Sequence, residues 1–147
     1  MKKGQGINKG KSFERLVAKL LTTETGVKWN RVPNSGGFAT AQGVEDSRFQ
    51  GDVFTENEDY AGYCVECKIT GTNFNLNELF KPKGKLYSWW KQAESESKDK
   101  KPVLVFRYAN SPIFLMTQDE KIMSGLSFKI ILDGWLPFPI YLGVLRK

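Results

Sequence analysis

Apolar side chains recur at Phe13, Leu16, Val17, Leu20 and Leu21, the i, i+3, i+4, i+7, i+8 spacing of one helix face. Ser12 can cap this helix at its start and Gly26 lies just past its end. Residues 27–32 (VKWNRV) suit a strand, and the Gly-rich stretch 33–51 reads as a long loop, a length that tends to be functional or disordered. Residues 52–55 (DVFT) and 62–70 predict two strands joined by a polar turn, ENEDYAG. Leu86, Trp89, Trp90 and Ala93 mark a second amphipathic helix that fades into ESESKDKK. Strands over 103–109 and 113–117 and a short helix over 118–124 follow. The apolar segments 127–132 and 136–144 end the chain, the latter's prolines pointing to an edge strand or loop. No internal repeats occur. The order predicts one α/β domain over residues 12–147, a central mixed β-sheet flanked by helices. Residues 1–11, rich in Gly, Lys, Asn and Gln, are expected to form a flexible basic arm.

In 62–70, Tyr63, Val65, Cys67 and Ile69 alternate with Cys64, Glu66, Lys68 and Thr70. The period of two gives one apolar face and one face with a carboxylate beside an ammonium. A solvated sheet face with a weak i, i+2 ion pair would explain this. So would half of a catalytic site. Cys64 and Cys67 point to opposite faces of an extended strand, roughly 10 Å apart, too far for an unstrained disulfide. Their C-x-x-C spacing does not make a zinc site, because four ligands are needed and the chain has no histidine.

The missing histidine also removes Ser-His-Asp and Cys-His chemistry. Any hydrolysis must rest on carboxylates, lysine and a hard metal ion. The net charge of +6 and pI near 9.3 favour an anionic partner, most simply nucleic acid. No apolar run reaches the length of a membrane span, and MKKGQGINKGKS lacks the apolar core of a signal peptide, so a cytoplasmic location is expected.

Three acids can meet. At roughly 100° per residue Glu14 lies on the rim of the first helix's apolar stripe, while Arg15 and Lys19 take its outer face. A hairpin centred on Asp59 sets Asp52 opposite Glu66, both projecting from one face. Two carboxylates about 6 Å apart repel by roughly 3 kcal/mol at an effective dielectric of 20. Lys68 offsets only part of that charge, and a divalent cation would resolve it. All-oxygen ligation suits Mg2+, with Mn2+ as substitute. The Cys67 carbonyl is a further candidate ligand, its side chain packing into the core. A second Glu-x-Lys, Glu96-Ser97-Lys98, reads as solvated surface in a helical tail.

Gly51-Asp52 and Glu66-Cys67-Lys68, with Glu14 in the preceding helix, resemble the PD-(D/E)XK nuclease superfamily. The nearest likeness is to archaeal-type Holliday-junction resolvases, from Lys9 to about Arg107. It covers KGKSFERLVAKLL, NRVPNSGG, GDVF, VECKIT and Gln92. That resemblance implies a restriction-endonuclease-like fold and an active site of Glu14, Ser35, Asp52, Glu66 and Lys68. Asp52, Glu66 and Glu14 would hold metal, Lys68 would act on the attacking water, and the products would carry 5′-phosphate and 3′-hydroxyl ends. Gly51 stands where the family usually has proline.

DNA contacts are expected from Lys2, Lys3, Lys9 and Lys11, from Arg31 and Arg48, from Lys81, Lys83 and Lys85 of the KPKGK loop, and from Gln92. The partner implied is branched double-stranded DNA, a four-way junction cut by a homodimer. The alternatives are another nuclease of this superfamily acting in restriction, repair or flap trimming, and a non-catalytic basic nucleic-acid-binding protein.

Overall fold

A computed structural model describes residues 5–33, 51–73, 83–123, 126, 129–132 and 140–146. Helix α1 (Gln5–Thr25) leads into β1 (Asn30–Arg31), β2 (Val53–Phe54) and β3 (Tyr63–Thr70). Helix α2 (Lys85–Ser97) precedes β4 (Lys101–Tyr108) and β5 (Ile113–Thr117). A 3₁₀ turn (Glu120–Met123), β6 (Lys129–Leu132) and β7 (Ile140–Arg146) complete the described elements. Among these residues the strands form one seven-stranded sheet in the order β1-β2-β3-β4-β5-β7-β6. Only β3 and β4 run parallel, with α2 as the crossover between them. The expected α/β architecture with a mixed sheet is the one found.

The two helices cover opposite faces of this sheet. Phe13, Val17, Ala18 and Leu21 of α1 pack with Val65, Val103, Val105 and Leu115. Leu86, Trp90 and Ala93 of α2 pack with Leu104, Phe106, Met116 and Leu142. Odd positions of β3, β4 and β5 therefore face α1, and even positions of β4 and β5 face α2. Each such fully buried aliphatic side chain contributes about 1.5–3 kcal/mol. The consequence for β3 is decisive: its polar face is not a solvated one. Cys64 is fully buried and Glu66 is only 5% exposed. The reading of Glu66 and Lys68 as a weak surface ion pair fails on that burial.

Several boundaries differ from expectation. Residues 5–11 are helical and not an arm, because a helix once nucleated gains a hydrogen bond for each residue it adds, Gly6 and Gly10 included. Ser12 is thus an exposed position inside α1 and does not cap it. Gly26 does end the helix, at φ 77°, its N–H donating to the Thr22 carbonyl at 3.0 Å. The last strand, described over Ile140–Arg146, lies inside the sheet between β5 and β6 and not at its edge, while Pro137 and Pro139 lie outside the described residues. Helix α2 runs on to Ser97, carrying Glu96 within its final turn.

Candidate active site

The site is built where β2 meets β3. Val53 pairs with Val65. The Asp52 N–H also donates to the Val65 carbonyl, at 2.8 Å, fixing the entry to β2 against β3. The Asp52 carbonyl meanwhile accepts from Val32 N–H at 2.9 Å. Gly51 makes this entry possible. Its φ is 83°, and a Cβ there would lie 2.6 Å from the Val65 carbonyl oxygen. Proline, locked near φ −65°, could not take this conformation. Gly51 is therefore a structural requirement of this chain and not a neutral replacement.

So anchored, the Asp52 side chain turns back over the strand edge, where its Oδ2 accepts from the Cys67 N–H at 2.8 Å. The Val65 carbonyl and the Cys67 N–H both point towards β2, so the Cys67 carbonyl points the same way, past Asp52. Its side chain packs against the α1-side core, as expected. Both cysteines are free thiols. Burial, with the Asp52, Glu14 and Glu66 charges, pushes the Cys67 thiol well up.

Asp52 and Glu66 meet, as the hairpin parity predicts. Burial raises the Asp52 carboxyl above its ordinary range, against the Cys67 N–H, the hydrogen bond from Glu66 and the Lys68 charge, which favour ionisation. Glu66 is pushed up to about 10, first by burial, then by the nearby Asp52 and Glu96 carboxyls. Both carboxyls of the pair are therefore harder to ionise than free ones. Lys68, half-buried, is near enough to act on Asp52 and on Cys67.

Glu14 approaches from the α1 side. Its Oε2 lies 2.7 Å from Arg31 Nε, and the two side chains are 14% and 17% exposed. Burial and Asp52 raise its carboxyl, while Arg31 and Lys11 oppose the shift. Arg31, expected to grip DNA, here spends its Nε–H on Glu14. On the α2 side Gln92 Nε2 donates to Glu96 Oε1 at 2.9 Å.

Lys9, Lys83 and Lys85 are exposed and Lys11 is half-buried. Ser35, Arg48, Lys81, Lys2 and Lys3 lie outside the described residues. Glu96 is exposed, as expected, but its nearness to Glu66 was not foreseen. A signal existed: Trp89, Ala93 and Glu96 follow i, i+4, i+7, which puts Glu96 on the rim of the buried stripe of α2.

Among the described residues, no three His, Cys, Asp or Glu side chains are gathered tightly enough to cage a metal ion by themselves. The donor set nevertheless suits a hard divalent cation. Two buried carboxyls in contact need a proton or a cation to neutralise them, and a strand carbonyl points to the same place. A metal taking water and phosphate oxygens for its remaining positions needs no complete protein cage.

Residues 6–133 match the family model for phage PDDEXK endonucleases. The chain is also similar to Protein D14 of Escherichia phage T5, with 33% identity over 109 residues, covering 67% of this chain and 62% of that protein. The match thus spans less than two thirds of the relative's length. No solved structure matches the chain.

Proposed function

The chain belongs to the phage PDDEXK endonuclease family, and on that premise we propose that it is a Mg2+-dependent, structure-selective DNA endonuclease that resolves four-way junctions by paired nicks. The observation that carries the reading is the buried Asp52–Glu66 carboxyl pair beside Lys68 on a rigid strand, in a protein of net charge +6. The junction preference rests on the likeness of the segments around Glu14, Asp52, Glu66 and Gln92 to Holliday-junction resolvases.

Asp52, Glu66 and the Cys67 carbonyl would hold Mg2+ at the scissile phosphate. Bound there, the ion supplies Lewis acidity and a water of lowered pKa. Lys68 orients that water and stabilises the negative charge that builds on the phosphorus oxygens. Glu14, tied to Arg31, closes the α1 side of Asp52, and Ser35 contacts the phosphate. Lys9, Lys11, Lys83 and Lys85 bind the DNA backbone, joined by Lys2, Lys3, Arg48 and Lys81. Affinity should then fall with log K dropping by about 0.9 per phosphate neutralised for each decade of salt. Two opposed nicks need two sites, hence a homodimer on one junction.

A second reading, favoured by the family match itself, is a PDDEXK endonuclease of linear, mismatched or flapped duplex. The test is cleavage of a labelled four-way junction beside a linear duplex of the same arms with Mg2+, for wild type, Asp52→Asn and Lys68→Ala. Symmetric nicks near the crossover by wild type alone support resolution, with junction affinity of both variants within about tenfold, roughly 1.4 kcal/mol. Equal cutting of the linear duplex moves the substrate to the second reading. Unchanged cutting by Asp52→Asn overturns the assigned chemistry.

A further inference from the structure

The guanidinium of Arg31 has two hydrogen-bonding edges, and the protein uses only one of them. Its Nε–H, on the side edge, donates to Glu14 Oε2 at 2.7 Å. Among the described residues no second partner is seen for this side chain, and its Nη groups keep contact with solvent. Those two groups form the outer edge, which matches two oxygens of a phosphate in a bidentate pair. Deprotonation cannot relieve the charge of an arginine, so an open edge on a largely buried guanidinium favours an anion.

The backbone sets this edge beside the acid pair. Arg31 pairs with Val53, the residue after Asp52, and Val32 donates its N–H to the Asp52 carbonyl at 2.9 Å. Val53 packs in the α1-side core, so Arg31 projects from that face, where Glu14 meets it. Lys11, one turn before Glu14 on α1, adds a second cation to the same side. An ion pair that served only to clamp α1 to β1 would gain nothing from a free outer edge.

Resting on the reading of this protein as a DNA endonuclease, we propose that Arg31 is a two-sided positioning residue, its Nε–H holding Glu14 and its Nη edge gripping a DNA phosphate next to the scissile one. The substrate backbone is thereby registered against Asp52 and Glu66 through β1, which is tied to the Asp52 peptide. Glu14 has the complementary part. Its carboxylate fixes the guanidinium plane, so the outer edge is preorganised before DNA arrives. Lysine could not do the same, because a single ammonium cannot present two edges at fixed angles.

The test reads single phosphates. Four-way junctions and linear duplexes are made with one methylphosphonate, an uncharged replacement, at each phosphate around the cut in turn. Affinity without Mg2+ and single-turnover cleavage with Mg2+ are measured for wild type, Arg31→Ala, Arg31→Lys and the exposed control Arg15→Ala, with thermal melts alongside. In wild type, one position beside the cut should lower affinity about tenfold, the loss expected when a charged hydrogen-bonded contact is removed. Arg31→Ala should bind the native and the modified DNA equally, while Arg15→Ala keeps the wild-type difference. Arg31→Lys should stay within about tenfold of wild type in affinity but cut about 100-fold more slowly, the effect of a misplaced phosphate. Where Arg31→Ala fails to fold because it strands Glu14, the double variant Glu14→Gln/Arg31→Ala leaves no lone charge and gives the same reading. A methylphosphonate effect in the Arg31→Ala protein equal to that in wild type, or wild-type cutting by Arg31→Lys, overturns this inference while leaving the nuclease reading intact. A wild-type protein that cuts neither DNA with Mg2+ overturns both.

Discussion

Two groups of acids lie near β3 in different settings. Asp119, just past β5, sits 2.6 Å from Lys101 Nζ, which lies over the ring of Tyr63 at the start of β3, and its Oδ1 accepts the Lys121 N–H at 3.0 Å. Burial alone would raise this carboxyl, but Lys101 and the backbone donor hold it below the ordinary range. Lys121 reaches across to the Asp59 carbonyl at 2.8 Å and lies 5.0 Å from the Tyr60 ring centre. At the middle of β3, Glu66 faces Asp52, which leads into β2, and both carboxyls are raised. One end has a cation for its carboxylate. The other lacks enough of them. The difference separates charge used for structure from charge held ready for a ligand. A cavity of about 470 Å³ opens beside Lys101 and Asp119, at the compensated end.

The largest expected effect follows from Glu66. Its carboxyl rises from 4.5 to about 10 on folding, so between those values the folded protein binds more protons than the unfolded chain. Stability of the metal-free protein should therefore fall as pH rises through that window. Urea midpoints from pH 5 to 9 should show the fall in wild type and a much flatter profile in Glu66→Gln, which should also not cut DNA. Equal slopes would mean that Glu66 is no more stressed than Asp119, and the contrast between the two settings would be lost.

Next in size is Gly51→Ala. The positive φ and the 2.6 Å approach to the Val65 carbonyl should cost about 2–4 kcal/mol, read as a lower denaturation midpoint, and cleavage should fall as Asp52 is displaced. A midpoint equal to wild type would show that the entry to β2 needs no such turn. The smallest effect belongs to the compensated end. Lys101→Ala removes a partner that is itself 64% exposed, so it should cost less than about 1 kcal/mol. NMR titration should find Asp119 returned towards the ordinary carboxylate range, with cleavage unaltered. A loss of cutting would bring this end into the active site.

The meeting of Asp52 and Glu66 was legible because it depends on parity alone. A hairpin centred on Asp59 puts residues whose numbers sum alike on one face, and the observed pairing of Val53 with Val65 obeys that sum. The sharp turn at Gly51 was not legible, since it follows from its close approach to a strand 14 residues further along the chain. Glu14 could be placed on the rim of its helix. Its pairing with Arg31 could not, because it depends on how α1 lies against β1. The influence of Glu96 on Glu66, 30 residues away, was not legible for the same reason: it arises only once α2 docks on β3.

What the chain determined by itself is local and periodic. It set the elements, the two-residue repeat of β3, the turn that brings Asp52 to Glu66, and the motif of the PDDEXK endonuclease family. Tertiary packing decided which faces lose their water. Helix α2 covers the polar side of β3, and that burial turns an ordinary pair of acids into one that needs a proton or a cation. Periodicity records which side chains share a face, but the free energy of a charge depends on everything that later packs over it.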